Sequence, residues 1–252
     1  MTQDQNTVIR HQFGDVAADY VSSLVHATGA DLARIAEIAR LCAPATALDL
    51  GAGGGHVTYA MAPHAGQVIA TDLSEDMLHA VAAEAARRGL ANIVTLTAEA
   101  GALPLADASC DMLACRFTLH HWRNPAAGLA EARRVLKPRA PAVFIDVIAP
   151  PEPAADTHLQ AVELLRDPSH GRDFTVREWQ AMLGAAGFAV TAMTMSRLRM
   201  DFPTWTARMR TPDLHVAAIR ALQGMAGDEV ARHFALEPDG SFTIDVMLIE
   251  AR

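Results

Sequence analysis

The sequence predicts an α/β fold built on a doubly wound sheet of seven strands, and two observations carry that expectation. Between residues 44 and 148, short apolar runs that read as buried strands alternate with helical patterns. The first of these runs also enters a glycine-rich turn, AspLeuGlyAlaGlyGlyGly (49–55), that opens directly into a helix. Strand, helix, strand at this spacing implies parallel strands with right-handed crossovers.

The elements follow in order. Residues 7–42 read as two amphipathic helices parted near Thr28-Gly29. Strands are expected at 45–50, 67–72, 92–97, 110–115 and 142–147, and helices at 55–62, 74–88 and 124–137. Ser74 and Asn124 stand as N-caps, with Pro125 at the first helical position. ProProGluProAla (150–154) breaks the chain, a helix then runs to about Arg166, and another spans Thr175 to Gly187. Phe188 to Thr194 reads as a sixth strand, and the AspGly turn at 239–240 leads into a seventh ending near Ala251. The stretch 197–238 is too long for a plain connection and is expected to form a helical cap. One domain over 1–252 is expected: 1–43 as N-terminal lid helices, 44–148 as the ligand-binding core, and 149–252 as a substrate-side half with the cap insert.

Composition narrows the function classes. The chain has 252 residues, 51% of them hydrophobic, and a formal net charge of −8. A sequence-independent nucleic-acid binder needs a concentrated basic stripe, and the densest basic stretches, Arg87-Arg88 and Arg133 to Arg139, read instead as helix ends. Cys42, Cys110 and Cys115 form no CxxC pair, so buried thiols in a reducing cytoplasm are expected rather than a disulfide framework or zinc site. No apolar run reaches the roughly 18 residues of a membrane span, and the first twenty residues lack a signal-peptide core. Eleven histidines form no HxxxH pair, and no metal is assigned.

The glycine loop and the end of the second strand point to a nucleoside. Gly51, Gly53 and Gly55 permit a tight turn and close approach of a ligand to backbone, with Ala52 between them. Asp72 ends the second strand, where a carboxylate accepts both hydroxyls of a ribose; its other reading is a cap before Ser74. A dinucleotide fingerprint would need glycine at position 56, which is His56, and Asp49 would face a pyrophosphate unfavourably. A cationic, phosphate-free nucleoside such as S-adenosylmethionine suits Asp49 better, whether Asp49 holds the ammonium or orders the loop amides.

AspLeuGlyAlaGlyGlyGly with ThrAspLeuSerGluAspMetLeu (71–78) resembles the cofactor core of class I S-adenosylmethionine-dependent methyltransferases. ArgPheThrLeuHisHisTrp (116–122) with GluAlaArgArgValLeuLysPro (131–138) is similar to the branch that includes the ubiquinone/menaquinone-biosynthesis C-methyltransferases and uncharacterised bacterial relatives. The resemblance implies a Rossmann-like sheet with its last strand antiparallel. It implies that Asp49, Gly51, Ala52, Gly53, Gly55, Asp72, Leu73, Met77, Ala98, Glu99, Ala100 and Arg116 bind the cofactor, with Glu99 at the adenine where Asp is commoner. It also implies a lid segment at 13–20, with Tyr20 over the methionine moiety; an amphipathic stripe is the alternative.

Methyl transfer needs an acceptor placed near the methyl, water excluded, and sometimes a base. His120 and His121, after the fourth strand, supply one, and because consecutive residues point differently only one is expected to face the pocket. Packing or capping is the alternative. Arg116 would hold a carboxylate or form a surface ion pair. His26 and His170 are candidate acceptor contacts, His170 otherwise being a surface loop residue. The expected reaction is transfer to a small-molecule acceptor at C, O or N, releasing S-adenosylhomocysteine, by a cytoplasmic monomer or homodimer. The alternatives are a cofactor-binding protein without transfer activity and an NAD-type oxidoreductase.

Overall fold

The computed structural model describes residues 4–14 and 29–252. Seven strands form one sheet: β1 (Thr46–Leu50), β2 (Gln67–Asp72), β3 (Ile93–Thr97), β4 (Met112–Arg116), β5 (Ala142–Val147), β6 (Val190–Met200) and β7 (Phe242–Ala251). Their spatial order is β3-β2-β1-β4-β5-β7-β6. The first five run parallel, and β7 is antiparallel to both β5 and β6. Chain order therefore reverses between β1 and β4, which opens a crevice above their carboxyl ends.

Ten α-helices are found among the described residues: α1 (Gln5–Gly14), α2 (Ala30–Cys42), α3 (His56–Met61), α4 (Glu75–Arg87), α5 (Pro125–Val135), α6 (Pro153–Arg166), α7 (Val176–Ala185), α8 (Phe202–Arg208), α9 (Asp213–Gly224) and α10 (Asp228–His233). They cover both faces of the sheet. One core joins Ile35, Met61, Met112, Ile145, Leu159 and Trp205. The other joins Leu48, Leu113, Leu129, Phe144, Trp179 and Leu183. Covered on both sides, β1, β4 and β5 are almost wholly buried, which is why they read as unbroken apolar runs.

Helix starts are set locally. The Ser74 side chain accepts from Met77 N–H and the Asn124 side chain from Ala127 N–H, while Thr175 and Glu178 close a capping box.

Several boundaries differ from the sequence reading. β4 begins at Met112 because Asp111 serves as a junction, accepting from Thr46 N–H at 3.0 Å and pairing with Lys137 at 2.6 Å. β6 continues to Met200, so the helical insert lies between Phe202 and His233 rather than starting at 197. Arg197 and Arg199 sit outward on this edge strand and pair with Asp245 and Glu237, so their charge does not end it. The first helix is described only from Gln5 to Gly14. Tyr20 and His26 lie outside the described residues.

Candidate active site

The crevice at the β1/β4 reversal deepens into a cavity lined at one end by 49–54, Asp72, Leu73, Met77 and 98–101, and at the other by His120, His121, Glu163, Arg166, Asp173 and Trp205. The first end grows from the glycine loop. Gly51, at φ 77°, turns the chain out of β1, and a Cβ there would come within 2.4 Å of the Thr118 hydroxyl. Gly53, at φ 48°, has open space where a Cβ would stand, so ligand can approach its backbone. The loop is anchored from β2: Gly51 and Ala52 N–H donate to Thr71 O at 3.0 and 2.7 Å.

Asp72 is held as an acceptor facing the cavity. Gly53 N–H donates to its Oδ2 and Ser74 N–H to its Oδ1, each at 2.9 Å. Each carboxylate oxygen therefore keeps lone-pair capacity for a further donor. Asp49, 1% exposed, accepts from Thr58 Oγ1 at 2.6 Å rather than from loop amides. Burial, with the charge of Asp72 beside it, pushes its carboxyl up to about 7, against the pull of Thr58. Gly55 is buried behind the loop, where a Cβ would meet the Tyr59 ring at 2.7 Å. Ala98, Glu99 and Ala100 line the cavity beyond β3, and Glu99 lies 4.0 Å from Arg123. Arg116 lines the cavity but is not a surface residue: its side chain is 6% exposed and its Nε donates to Asp31 at 2.6 Å.

The other end is a polar wall on an apolar chamber. A 3₁₀ turn, Leu119–His121, brings both histidines to the cavity, with their ring centroids 4.1 Å apart, so the expectation that one would turn away fails. His120 Nδ1–H donates to Asp146 Oδ1 at 2.6 Å. Burial opposes the imidazolium, but the charge and hydrogen bond of Asp146 prevail and raise His120 to about 9. His121 Nδ1–H donates to Ser169 O at 3.1 Å, and Phe13 sits edge-on to its ring at 5.1 Å. Burial and the neighbouring positive His120 lower His121 to about 4. Among the described residues, neither Nε2 has a hydrogen-bond partner.

His170 corrects the sequence reading. It is neither on the surface nor on the cavity wall: 7% exposed, it packs behind His120 at 5.8 Å and its Nε2–H donates to Gln160 Oε1 at 2.9 Å. The loop carrying it, 167–174, folds under the histidine turn, with Gly171 and Arg172 N–H both donating to His120 O.

Sequence reasoning missed Asp146, Glu163, Arg166 and Asp173. Asp146 had a signal, being the one carboxylate in the apolar run AlaValPheIleAspVal. Glu163 and Arg166 lie on a helix whose pattern gives no sign that one face meets a cavity.

Sheet order, the crevice at the strand reversal and the glycine loop together define a Rossmann-like methyltransferase fold. Residues 48–144 match the family described as "Methyltransferase domain". The uncharacterized protein YafE of Escherichia coli (strain K12) is 41% identical over 78% of this chain and 95% of its own length. "Uncharacterized methyltransferase YcgJ" of Bacillus subtilis (strain 168) is 31% identical over 94% of this chain and 96% of its own. The crystal structure of YcgJ has a TM-score of 0.84 to this fold, at 30% identity, covering 88% of this chain and 97% of that one. A putative methyltransferase from Bacillus halodurans C-125 has a TM-score of 0.85 at 32% identity, covering 89% and 99%. The chain belongs to the methyltransferase family, and shorter stretches of it are similar to ubiquinone/menaquinone-biosynthesis C-methyltransferases, with 38% identity over 37% of this chain to the one from Acidiphilium cryptum (strain JF-5).

Among the described residues no helix is long and apolar enough to cross a membrane, and no three His, Cys, Asp or Glu side chains form a metal-holding group.

Proposed function

We propose that this chain transfers a methyl group from S-adenosylmethionine to a small-molecule acceptor and releases S-adenosylhomocysteine. The observation that carries the reading is that the Asp72-anchored glycine loop and the Asp146-held His120 line the two ends of one cavity.

The cofactor end fits the proposed nucleoside. Asp72 has capacity for two ribose hydroxyls, and Ala98, Glu99 and Ala100 with Leu73 and Met77 form the adenine side. Asp49 and Asp72 place two buried carboxyl groups at this end, whose ionised forms an ammonium and sulfonium would favour and a pyrophosphate would oppose. Arg116, paired with Asp31, lines the cavity and is the proposed contact for the cofactor carboxylate. When bound, S-adenosylmethionine supplies a methyl carbon on a sulfonium, a good leaving group.

The chain's own contribution is positioning, exclusion of water and proton transfer. His120 is the base in this reading. Its Nε2 would take the proton that the acceptor gives up on methylation. Asp146 fixes the tautomer and stabilises the resulting imidazolium. His121, held far below neutrality, is a weaker base and serves as a wall of the chamber. The α1 helix closes that wall: Ile9 and Phe13 line the cavity, and Gln5 Nε2 donates to Ser169 O at 2.7 Å.

The test is S-adenosylhomocysteine release with a panel of phenols, amines and quinone precursors, on wild type and His120→Gln. Turnover by the wild type, falling roughly 10²- to 10⁴-fold in the variant with cofactor affinity retained, supports the reading. Binding without turnover on any acceptor favours a cofactor-binding protein that performs no transfer.

A further inference from the structure

Asp173 stands apart from the other charged groups of the acceptor chamber. It lines the cavity and is 1% exposed, yet its Oδ2 has no hydrogen-bond partner among the described residues. Its charged neighbours each face a group of opposite charge, while Asp146 Oδ2, outside the cavity lining, likewise has no hydrogen-bond partner among the described residues. Asp146 holds His120 at 2.6 Å, and Glu163 faces Arg166 at 3.6 Å. The nearest nitrogen to Asp173, His170 Nε2 at 3.9 Å, gives its proton to Gln160 Oε1, which also accepts from Asp173 N–H. Burial and the positive groups around it keep the His170 ring neutral.

A buried carboxyl without a hydrogen-bond partner is disfavoured in its charged form, and burial pushes Asp173 well up against the pull of the nearby His120 charge. A ligand that brings both a hydrogen-bond donor and a positive charge removes that cost. A hydroxyl supplies only the donor, and an anionic ligand adds repulsion. The rest of the chamber is largely apolar, with Ile9, Phe13, Leu198, Met200 and Ile244 beside Asn6 and Arg208.

We propose that Asp173 determines acceptor specificity by taking the ammonium group of a small, otherwise apolar amine. The proposal rests on the reading of this chamber as the acceptor site. Recognition by Asp173 and proton removal by His120 are separate tasks on one wall, so the amine is the group read, while His120 meets the atom that is methylated.

The experiment is calorimetry on protein saturated with S-adenosylhomocysteine, using three probes with one apolar body: phenethylamine, phenethyl alcohol and 3-phenylpropanoate. The expected result is at least tenfold tighter binding of the amine than of the alcohol, with the acid weakest. Asp173→Asn should erase that preference and leave S-adenosylhomocysteine affinity unchanged. Alcohol or acid binding as tightly as the amine overturns the proposal, as does a preference that survives in Asp173→Asn or the absence of any preference. The wild-type series decides the matter even if the variant does not fold. Failure of S-adenosylhomocysteine itself to bind appears in the first titration and overturns the methyltransferase reading, and this proposal with it.

Discussion

Asp72 and His120 each hold one position by bonds to backbone or carboxylate and present a second to the cavity. For Asp72, both oxygens are aligned by N–H groups of the loop and the following turn, so truncation removes the proposed ribose acceptor and loosens Gly53 together. Asp72→Ala is expected to weaken S-adenosylhomocysteine binding by about 1 to 3 kcal/mol by calorimetry, the usual size of a lost charged hydrogen bond; unchanged affinity would remove Asp72 from the site. His120 carries a pH signature. Its folded-state value, about 9, lies above the ordinary 6.5, so its stabilising contribution is complete below pH 6.5 and is lost as pH rises through about 9. The stability gap between wild type and His120→Gln, followed by thermal melting, should therefore narrow between these limits. Turnover should run the other way and rise toward pH 9, since the base acts when neutral. Asp72 was legible from its place at the end of an apolar strand after a glycine loop. The division of labour between His120 and His121 was not, because it depends on Asp146 and Ser169, distant in sequence.

At the scale of elements, the loop 167–174 determines how the histidine turn is presented. Two of its N–H groups donate to His120 O, Ser169 O accepts from His121 Nδ1–H, and Asp173 reaches the chamber. A Cβ on Gly171 would lie 2.8 Å from His120 O, a contact with backbone that requires the turn to move. Gly171→Ala is expected to lower turnover at least tenfold while leaving cofactor affinity within twofold; equal losses in both would mean that the loop supports the whole crevice. The helix after this loop depends on the Thr175 capping box, and Thr175→Ala should cost about 1 kcal/mol in denaturant unfolding. Helix starts at Ser74, Asn124 and Thr175 were readable because caps are local. The length of β6 was not, because Arg197 and Arg199 find partners on β7 and on the turn before it that no local pattern announces.

Across the whole molecule, a sheet reversal places a glycine loop from β1, a carboxylate from β2 and a histidine turn after β4 around one cavity, with α6 and the insert closing the far side. The glycine-loop end of the cavity was legible because its residues lie within about fifty positions of one another and follow the strand ends. The histidine end draws on α1, α6, the 167–174 loop, β6 and the insert, a convergence that only the folded chain displays. The central claim is that this cavity takes S-adenosylmethionine and not a dinucleotide. Calorimetric titration of the purified protein with S-adenosylmethionine, S-adenosylhomocysteine and NAD tests it most directly: micromolar binding of the first two without NAD is the predicted result, and binding of NAD alone, or of none of the three, would contradict it.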